Sequence, residues 1–342
     1  MANVTIYSLA KELNMTPSMV SRALNPGGKV SEEKRRLVLT AAKKYGFSPN
    51  KFASRLSMKT LRIGIIMNNR YGTIKEQMLS GIEEAHRQLK DYKINYDITI
   101  LNPETSGADE YSDAMNKYAD CDGIILSGMS SEKYAPLIRS ALEQTPNIVQ
   151  VQATNDELDC LFSSKHNEAT ASAVSAEFLH TCLRQSPRKN ILLFTGDMES
   201  VLHKKAKEAF SSACEEYGLN LCDSVDMKDN EKYFKDILPS VFEKHEGEID
   251  GIYITSGISL PLCEYLYERK IEVPLVVSDV HDHIKEYMKK GVVCAAIFQN
   301  VSKQMETAFT QLSKHIISGD KCEKVIYTDI HLVLKSNMRQ YD

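Results

Sequence analysis

The chain has 342 residues, of which 42% are hydrophobic and 26% charged, a composition typical of a soluble globular protein with room for two or three domains. No run of about 20 apolar residues occurs, which excludes a transmembrane helix, and residues 1–5 lack the basic start and apolar run of a signal peptide, so we expect a cytoplasmic protein. The eight cysteines all follow residue 120 and form no CxxC pair, which excludes a zinc module or a thioredoxin motif and fits a reducing compartment.

The net charge of −4 is distributed unevenly along the chain. Residues 1–60 carry 11 lysines and arginines against 3 glutamates and no aspartate, a balance of +8, so the rest of the chain carries −12. A small basic segment on a large acidic body favours contact with a polyanion, with nucleic acid as the first candidate. A chance cluster of solvated lysines gives the same count, so charge alone leaves both interpretations open.

Three short helices are predicted within the basic segment. Thr5 can cap the first helix, and Asn14 tolerates the left-handed backbone that a sharp turn needs. Thr16 and Pro17 are typical of the start of a second helix, and a third helix is predicted to begin at Ser31. The apolar positions expected to face inward are Ile6, Leu9, Ala10, Leu13, Val20, Leu24, Leu37, Val38, Ala41 and Tyr45. A helix, a tight turn and a second helix within about 20 residues predict a helix-turn-helix whose second helix suits the major groove.

The residues of this segment resemble a known family. The stretch from residue 4 to 56 reads VTIYSLAKELNMTPSMVSRALNPGGKVSEEKRRLVLTAAKKYGFSPNKFASRL and is similar to the DNA-binding head and hinge of lactose-repressor (LacI-type) bacterial transcription regulators. Its most specific parts are VTIY at 4–7, VSRALN at 20–25, VS at 30–31, and PN at 49–50 followed by Leu56. A helical bundle that never touches DNA is the alternative.

The resemblance implies roles for individual residues. Arg22 matches the base-reading arginine of the family, and its planar fork suits guanine O6 and N7. Thr16, Pro17 and Ser18 stand where the family varies its operator choice. Further predicted contacts to DNA, mostly to phosphates that position the head, are Thr5, Tyr7, Ser21, Asn25, Ser31, Asn50 and Arg55.

The hinge is predicted from residues 50–58, NKFASRLSM. A helix this short is marginal in water. The resemblance implies that it forms on DNA and pairs with its dimer mate, while Leu56 wedges into the minor groove and bends the operator. A plain linker is the alternative.

The body alternates strands and helices, which predicts parallel sheets with helices on both faces. Strands are expected near 62–68, 96–101, 122–127, 148–152, 190–195, 250–255, 273–278 and 293–298. Helices are expected near 75–91, 109–119, 133–143, 167–183, 202–217, 230–244, 259–269, 281–290 and 302–317.

The resemblance implies a periplasmic-binding-protein-like body with two lobes. The predicted domains are the helix-turn-helix head (1–48), the hinge (49–60) and the effector-binding and dimerisation domain (61–342). Its N-lobe is expected at about 61–161 and 293–324 and its C-lobe at about 162–292 and 325–342. Crossovers are expected near 160–164, 291–296 and 322–330.

Effector-binding candidates lie at predicted strand ends, where ligands bind in such folds. Asp279 matches the family's sugar-binding aspartate. Ala206 stands where the family often has arginine, and Lys205 beside it is either a substitute or simply solvated. The alternative for each of the remaining candidates is that it is an ordinary polar residue of a surface loop. These candidates are Asn68, Asn69, Tyr71, Gln152, Ser256 and Gln299.

No catalytic or cofactor motif is present: GxSxG, HExxH, the P-loop and GxGxxG are all missing. His281 and His283 are two residues apart, so their side chains point in different directions if the segment is helical, and we expect no metal there. With the motifs above missing, we also expect no cofactor and no enzymatic activity. The resemblance implies a dimeric transcription regulator, with a repressor as the first candidate, that binds a palindromic operator. It also implies a small polar effector, such as a sugar, and no membrane partner. The alternatives are a sugar-binding module or a sugar-modifying enzyme without a DNA role.

Overall fold

The computed structural model describes residues 5–24, 30–45, 60–68, 72–103 and 105–341. The chain divides into two compact units, residues 1–60 with 91–93 and the remainder from residue 61 onward. Each unit has hydrophobic clusters of its own. Among the described residues, no helix combines the length and the apolar character that crossing a bilayer requires.

The three predicted helices of the first unit are present: α1 (Ile6–Glu12), α2 (Pro17–Leu24) and α3 (Glu32–Lys44). Thr5 and Ser8 form a reciprocal capping box at the start of α1. Asn14 has a φ of 54°, so it supplies the left-handed turn between α1 and α2 that the sequence predicts. Pro17 occupies the first position of α2, where its missing N–H costs nothing.

The core of this unit includes most of the positions that the sequence predicts. Its buried residues are Leu9, Ala10, Val20, Ala23, Val38, Ala41 and Ala42. Leu37 is 51% exposed, because Val38, Ala41 and Ala42 form the inward stripe of α3 and Leu37 lies off it. Tyr45 is also exposed, and its hydroxyl donates to Glu12 Oε1 at 2.8 Å. The predictions that Leu37 and Tyr45 are buried were wrong.

The second unit alternates strands and helices along most of its length. Its first elements are β1 (Leu61–Asn68), α4 (Gly72–Gln88), β2 (Ile94–Leu101), α5 (Ala108–Lys117), β3 (Gly123–Ser127), α6 (Ala135–Gln144), β4 (Ile148–Val151) and β5 (Phe162–Lys165). The next are α7 (Glu168–Cys182), β6 (Asn190–Thr195), α8 (Val201–Tyr217), β7 (Asn220–Asp226), α9 (Glu231–Lys244), β8 (Gly251–Ile254), α10 (Leu260–Arg269), β9 (Leu275–Ser278), α11 (Asp282–Lys290) and β10 (Ala295–Phe298). The last are α12 (Val301–Ser318), β11 (Val325–Tyr327) and β12 (His331–Val333).

The strands form two six-stranded sheets, each the centre of one lobe. The first sheet has the order β11-β5-β4-β3-β1-β2 and is parallel throughout. The second has the order β12-β10-β9-β8-β6-β7 and is parallel except for its edge strand β12. The predicted two-lobed α/β body with parallel sheets is confirmed.

The chain passes between the lobes at different points from those predicted. β5 pairs with β4 in the first sheet, so the first passage follows Lys165 rather than lying at 160–164. β10 pairs with β9 in the second sheet, so the second passage lies near 299–300 rather than 291–296. The third passage falls between β11 and β12, inside the predicted range 322–330. The lobe boundaries at 161/162, 292/293 and 324/325 therefore shift by several residues toward the C-terminus.

Candidate functional site

A cavity of about 170 Å³ lies between the two lobes. The carboxyl ends of strands from both sheets form its walls: Asn68 ends β1, Gln152 follows β4, and Asp279 follows β9. Loops at the carboxyl ends of parallel strands are where open α/β sheets bind ligands. This cavity is therefore the candidate ligand site.

Two strand ends turn sharply where they reach the cavity. Gln152 and Asp279 both have a φ of 65°, in the left-handed region that side chains other than glycine rarely adopt. Such a backbone persists only where the surroundings fix it, and it is enriched at binding sites. The turns allow both side chains to line the cavity.

The structure brings five of the eight predicted effector residues to the cavity: Asn68, Gln152, Ser256, Asp279 and Gln299. Asn69 and Tyr71 lie outside the described residues. The amide of Asn68 is already used within its lobe, because it donates to the Gly128 carbonyl at 2.8 Å and accepts from the Tyr111 hydroxyl at 2.7 Å. Effector binding by these residues stays a prediction.

The remaining candidate, Lys205, does not line the cavity. Its Nζ lies 2.6 Å from a carboxylate oxygen of Asp156, which also pairs with the buried Lys165 at 2.9 Å. Burial alone would raise the pKa of Asp156, but the hydrogen bonds from the two lysines outweigh it and lower that pKa. Lys205 thus replaces no arginine in the cavity, and the cavity wall there is Ala206.

The Asp156–Lys205 pair links the two lobes. Asp156 lies between β4 and β5 of the first lobe, and Lys205 lies on α8 of the second. A second link is made by Ser130 and Ser200, whose hydroxyl oxygens are 2.7 Å apart, beside a backbone bridge between Ser131 and Ser200. We call these contacts the lobe latch. They hold the lobes together at the side of the cavity.

Three polar side chains form a cluster that the sequence did not predict as a unit. Asp229 follows β7, and its Oδ2 lies 3.0 Å from His203 Nε2 on α8. Ser256 Oγ donates to Asp229 Oδ1 at 2.7 Å. Burial alone would raise the pKa of Asp229, but the charge and hydrogen bond of His203 and the Ser256 hydroxyl hold it well below its usual range. Asp229 is therefore a carboxylate at neutral pH.

Gly196 makes room for this cluster. A Cβ at Gly196 would collide with His203 Nε2 and with Asp229 Oδ1. The cluster does not match a nucleophile site, because Ser256 bonds the carboxylate rather than the imidazole that would have to accept its proton. Its arrangement is suited to binding rather than to acyl transfer.

Burial shifts the protonation of two more groups in the cavity. It lowers the pKa of His166 to about 4, with the charges of Lys165 and His203 adding to the effect. It raises the pKa of Asp279 to about 7, against the opposing effect of a hydrogen bond from the Gln299 backbone N–H. At neutral pH the His166 ring is therefore uncharged, and Asp279 holds its proton to a much higher pH than an exposed aspartate does.

In the first unit, α2 presents a small polar surface. Ser18 and Arg22 are exposed, Pro17 and Ser21 are half-buried, and Arg22 Nε donates to the Ser18 carbonyl at 3.3 Å. Thr16 is exposed, and its hydroxyl accepts from the Met19 N–H at 3.3 Å. The other predicted DNA contacts in the described residues are Thr5, which caps α1, Tyr7, which is 72% exposed, and the exposed Ser31. The predicted contacts Asn25, Asn50, Arg55 and Leu56 lie outside the described residues.

Two similar α/β lobes with a ligand cavity at the carboxyl ends of their strands define a two-lobed binding protein. The chain belongs to the periplasmic binding protein domain family, whose model matches residues 63–321. Catabolite control protein A of Priestia megaterium is 25% identical over 278 residues, which are 80% of each chain.

Solved structures share the fold at lower identity. A protein from Bacteroides fragilis assigned to the LacI transcriptional regulators superposes with a TM-score of 0.72 at 18% identity, covering 83% of this chain and all of that one. An ABC transporter solute-binding protein from Burkholderia graminis in complex with D-arabinose gives a TM-score of 0.74 at 15% identity, covering 83% of this chain and 98% of that one. The resemblance to LacI-type regulators is confirmed by these similarities.

Proposed function

We propose that this chain is a sequence-specific DNA-binding transcription regulator, acting as a repressor, whose operator affinity is set by a small polar effector in the cavity. The single observation that carries the proposal is the exposed polar face of α2, with Ser18 and Arg22 on it, in a unit whose sequence matches the LacI-type head. An exposed helix face of this kind is suited to the major groove. Because a bacterial operator lies in the cytoplasm, the proposed function also places this protein there.

In this proposal each group on α2 has its own task. Arg22 reads guanine through its planar fork, Thr16 and Ser18 contact neighbouring base edges, and Pro17 contributes apolar contact because it has no N–H. Thr5, Tyr7, Ser21, Asn25 and Ser31 contact phosphates, which position the head without reading sequence. The charge of +8 on residues 1–60 supports the phosphate contacts.

The hinge and the dimer complete the proposal. Residues 50–58 form a helix on the operator and pair with the same segment of a second protomer, with Asn50 and Arg55 at phosphates and Leu56 in the minor groove. A two-fold dimer reads a palindromic operator, because the two heads are related by the symmetry of the DNA site. The body, residues 61–342, supplies the dimer contacts.

The effector of the proposal is a sugar or sugar derivative. Support comes from the polar lining of the cavity, in which Gln152, Asp279 and Gln299 stand at strand ends. Further support comes from the shared fold with a solute-binding protein that holds D-arabinose. Carboxylate and amide groups are common partners of sugar hydroxyls because they accept several hydrogen bonds.

A gel-shift comparison tests the regulator. The full chain is expected to retard the DNA upstream of its own gene and to lose affinity steeply as salt rises, because phosphate contacts release counterions. A chain beginning at Leu61 should stay folded and dimeric but lose specific retardation. Specific binding by the shortened chain would refute the assignment of DNA binding to residues 1–60.

The same comparison separates the alternatives. A full chain that binds sugars but no specific DNA would be a binding module, and turnover of sugars in a mass-spectrometric assay would indicate an enzyme. Leu56→Ala provides an internal test of the hinge: it should reduce the operator bend in a circular-permutation gel. An unchanged bend would remove the wedge role of Leu56.

A further inference from the structure

The lining of the cavity is rich in hydrogen-bond acceptors. Four carboxyl side chains contribute to it: Glu168, Asp197, Asp229 and Asp279. Asp279 is 6% exposed, and the hydrogen bond that it accepts comes from the Gln299 backbone N–H. It forms no ion pair with any described residue. A buried carboxylate without a cation is costly unless a partner arrives with a ligand.

Cations are scarce in the same lining. Among the described residues that line the cavity there is no arginine, and the only lysine is the exposed Lys133, whose Nζ lies 4.9 Å from the Tyr134 ring centroid. Ala206 lines the cavity and brings no charge to its wall. The neighbouring Lys205 is held by Asp156 in the lobe latch. Apart from His203, which pairs with Asp229, the described lining residues therefore supply little positive charge to balance the carboxylates.

Buried polar atoms in the lining lack protein partners. His203 Nδ1, His166 Nδ1 and Thr255 Oγ1 have no hydrogen-bond partner among the described residues, and their side chains belong to residues only 7%, 5% and 9% exposed. His203 Nε2 already bonds Asp229, so Nδ1 is the ring nitrogen left for a ligand. These three atoms call for hydrogen bonds from a ligand.

We propose that the effector is a hydroxylated amine, such as an amino sugar, whose ammonium group is bound by Asp279 and whose hydroxyl groups bond the His203, His166 and Thr255 side chains. This inference rests on the proposed function, because it specifies the ligand class of the same site. Anionic ligands such as sugar phosphates and sugar acids are excluded by the carboxylates. An approaching ammonium group also favours ionisation of Asp279, whose pKa burial raises to about 7.

The test uses probes that share a carbon skeleton and differ in net charge and in the substituent that carries it. The full-length protein is titrated at neutral pH, by calorimetry and ligand-observed NMR, with three sets of compounds that share a skeleton. The sets are D-glucosamine, D-glucose and D-glucuronate; D-galactosamine, D-galactose and D-galacturonate; and serinol, glycerol and glycerate. At least one amine is expected to bind at least about tenfold more tightly than its neutral and acidic partners. Equal or tighter binding of the neutral or acidic partner overturns the proposal, and so does a failure of every amine to bind.

Two variants locate the charge recognition. Asp279→Asn removes the charge with little change in shape and should weaken the amine by at least about tenfold while affecting its neutral partner less. Ala206→Arg places a guanidinium on the cavity wall and should also weaken the amine, while favouring the acid. Ser212→Arg adds the same charge to an exposed position of α8 outside the lining and should leave the amine affinity unchanged. Amine binding that is insensitive to Asp279→Asn overturns the proposal even if Ala206→Arg does not fold.

Two further outcomes are informative. Arg70 lies outside the described residues, so the variant Arg70→Ala tests whether this arginine supplies a cation to the cavity. If the amines bind only to Arg70→Ala, the chain supplies its own cation and the proposal is overturned. Operator binding is measured on the same protein samples. Retained operator binding without amine selectivity defeats the ligand class alone, whereas amine binding without operator binding defeats the regulator and leaves the ligand class standing.

Discussion

Asp279 combines deep burial with a carboxyl group, and this combination makes the stability of the fold depend on pH. Burial raises its pKa to about 7, whereas an aspartate in an unfolded chain titrates near about 4. The folded state therefore binds the extra proton between these values. Its contribution to the free energy of unfolding is complete below about pH 4 and is lost as the pH rises through about 7.

Asp279→Asn should remove this dependence. From about pH 4.5 to about pH 7.5, the free energy of unfolding of wild type should fall, relative to that of the variant, by on the order of 2–4 kcal/mol. The reason is that each pKa unit corresponds to about 1.4 kcal/mol. Urea unfolding at both pH values measures it. His166, whose pKa burial lowers to about 4, contributes with the opposite sign but is present in both proteins, so the difference isolates Asp279. Equal pH dependence in the two proteins would contradict the assigned ionisation.

Arg22 is the residue on which sequence discrimination depends in the proposed function. Arg22→Ala should reduce the difference in binding free energy between operator and random DNA by about 1–3 kcal/mol, the value of one bidentate contact to a base pair. Lys34→Ala is the matched control, because Lys34 is an exposed cation on α3 rather than α2. It should weaken binding to both DNAs equally. Fluorescence anisotropy with the two DNAs measures both ratios, and a preserved ratio in Arg22→Ala would refute base reading by Arg22.

At the scale of elements, the Asp156–Lys205 pair of the lobe latch joins the segment after β4 to α8. Lys205→Ala should favour separation of the lobes, seen as a larger radius of gyration in small-angle X-ray scattering. The effect should be below about 1 kcal/mol, because Lys205 is 44% exposed and solvent screens the pair. Acid should act in the same direction, because the pKa of Asp156 is lowered in the fold and the pair is lost as the pH falls through it.

The neighbouring Lys204 supplies the control for the latch. It is exposed on the same helix and forms no ion pair with a described residue. Lys204→Ala should leave the radius of gyration unchanged. If both alanine variants scatter alike, the Asp156–Lys205 pair does not hold the lobes.

The long, apolar elements of the body were predictable, because alternating buried strands and amphipathic helices leave a strong periodic signal. The polar strands β5 and β7 were not. β5 reads FSSK, and its lysine is buried only because Asp156 pairs with it. β7 reads NLCDSVD and lies at the edge of its sheet, where polar residues are tolerated. Strands of this composition resemble loops in a sequence.

This gap explains which site residues were missed. Asp279, Gln152 and Gln299 follow predicted strands and were named from that position. Asp229 follows β7, which was not predicted, and His203 lies on the buried stripe of α8, where its partner is 26 positions away. The signal that was present is Thr195-Gly196-Asp197 at the end of β6, because a glycine there allows the close approach of His203.

At the scale of the whole molecule, the proposed function requires that the cavity and the DNA head affect each other. The proposal assigns residues 50–58, which lie outside the described residues, to a short hinge helix. A helix of that length is marginal in water, so its population would respond to small biases. A ligand that binds one arrangement of the lobes more tightly shifts the population of hinge helices able to pair. The shift is limited by the difference in ligand affinity between the two arrangements.

Thermodynamic linkage gives this coupling a quantitative test. If the effector changes operator affinity by a factor, operator DNA must change effector affinity by the same factor, with typical values of about 5–150-fold. Titrating operator with and without a bound cavity ligand, and the ligand with and without operator, measures both sides of the cycle. Asp279→Ala should abolish the response while the ligand-free protein keeps its dimer and its operator affinity, because Asp279 belongs to the cavity and not to the head. A full response in this variant would place the effector site elsewhere, and unequal factors in wild type would mean that the ligand and the operator do not act on one shared equilibrium.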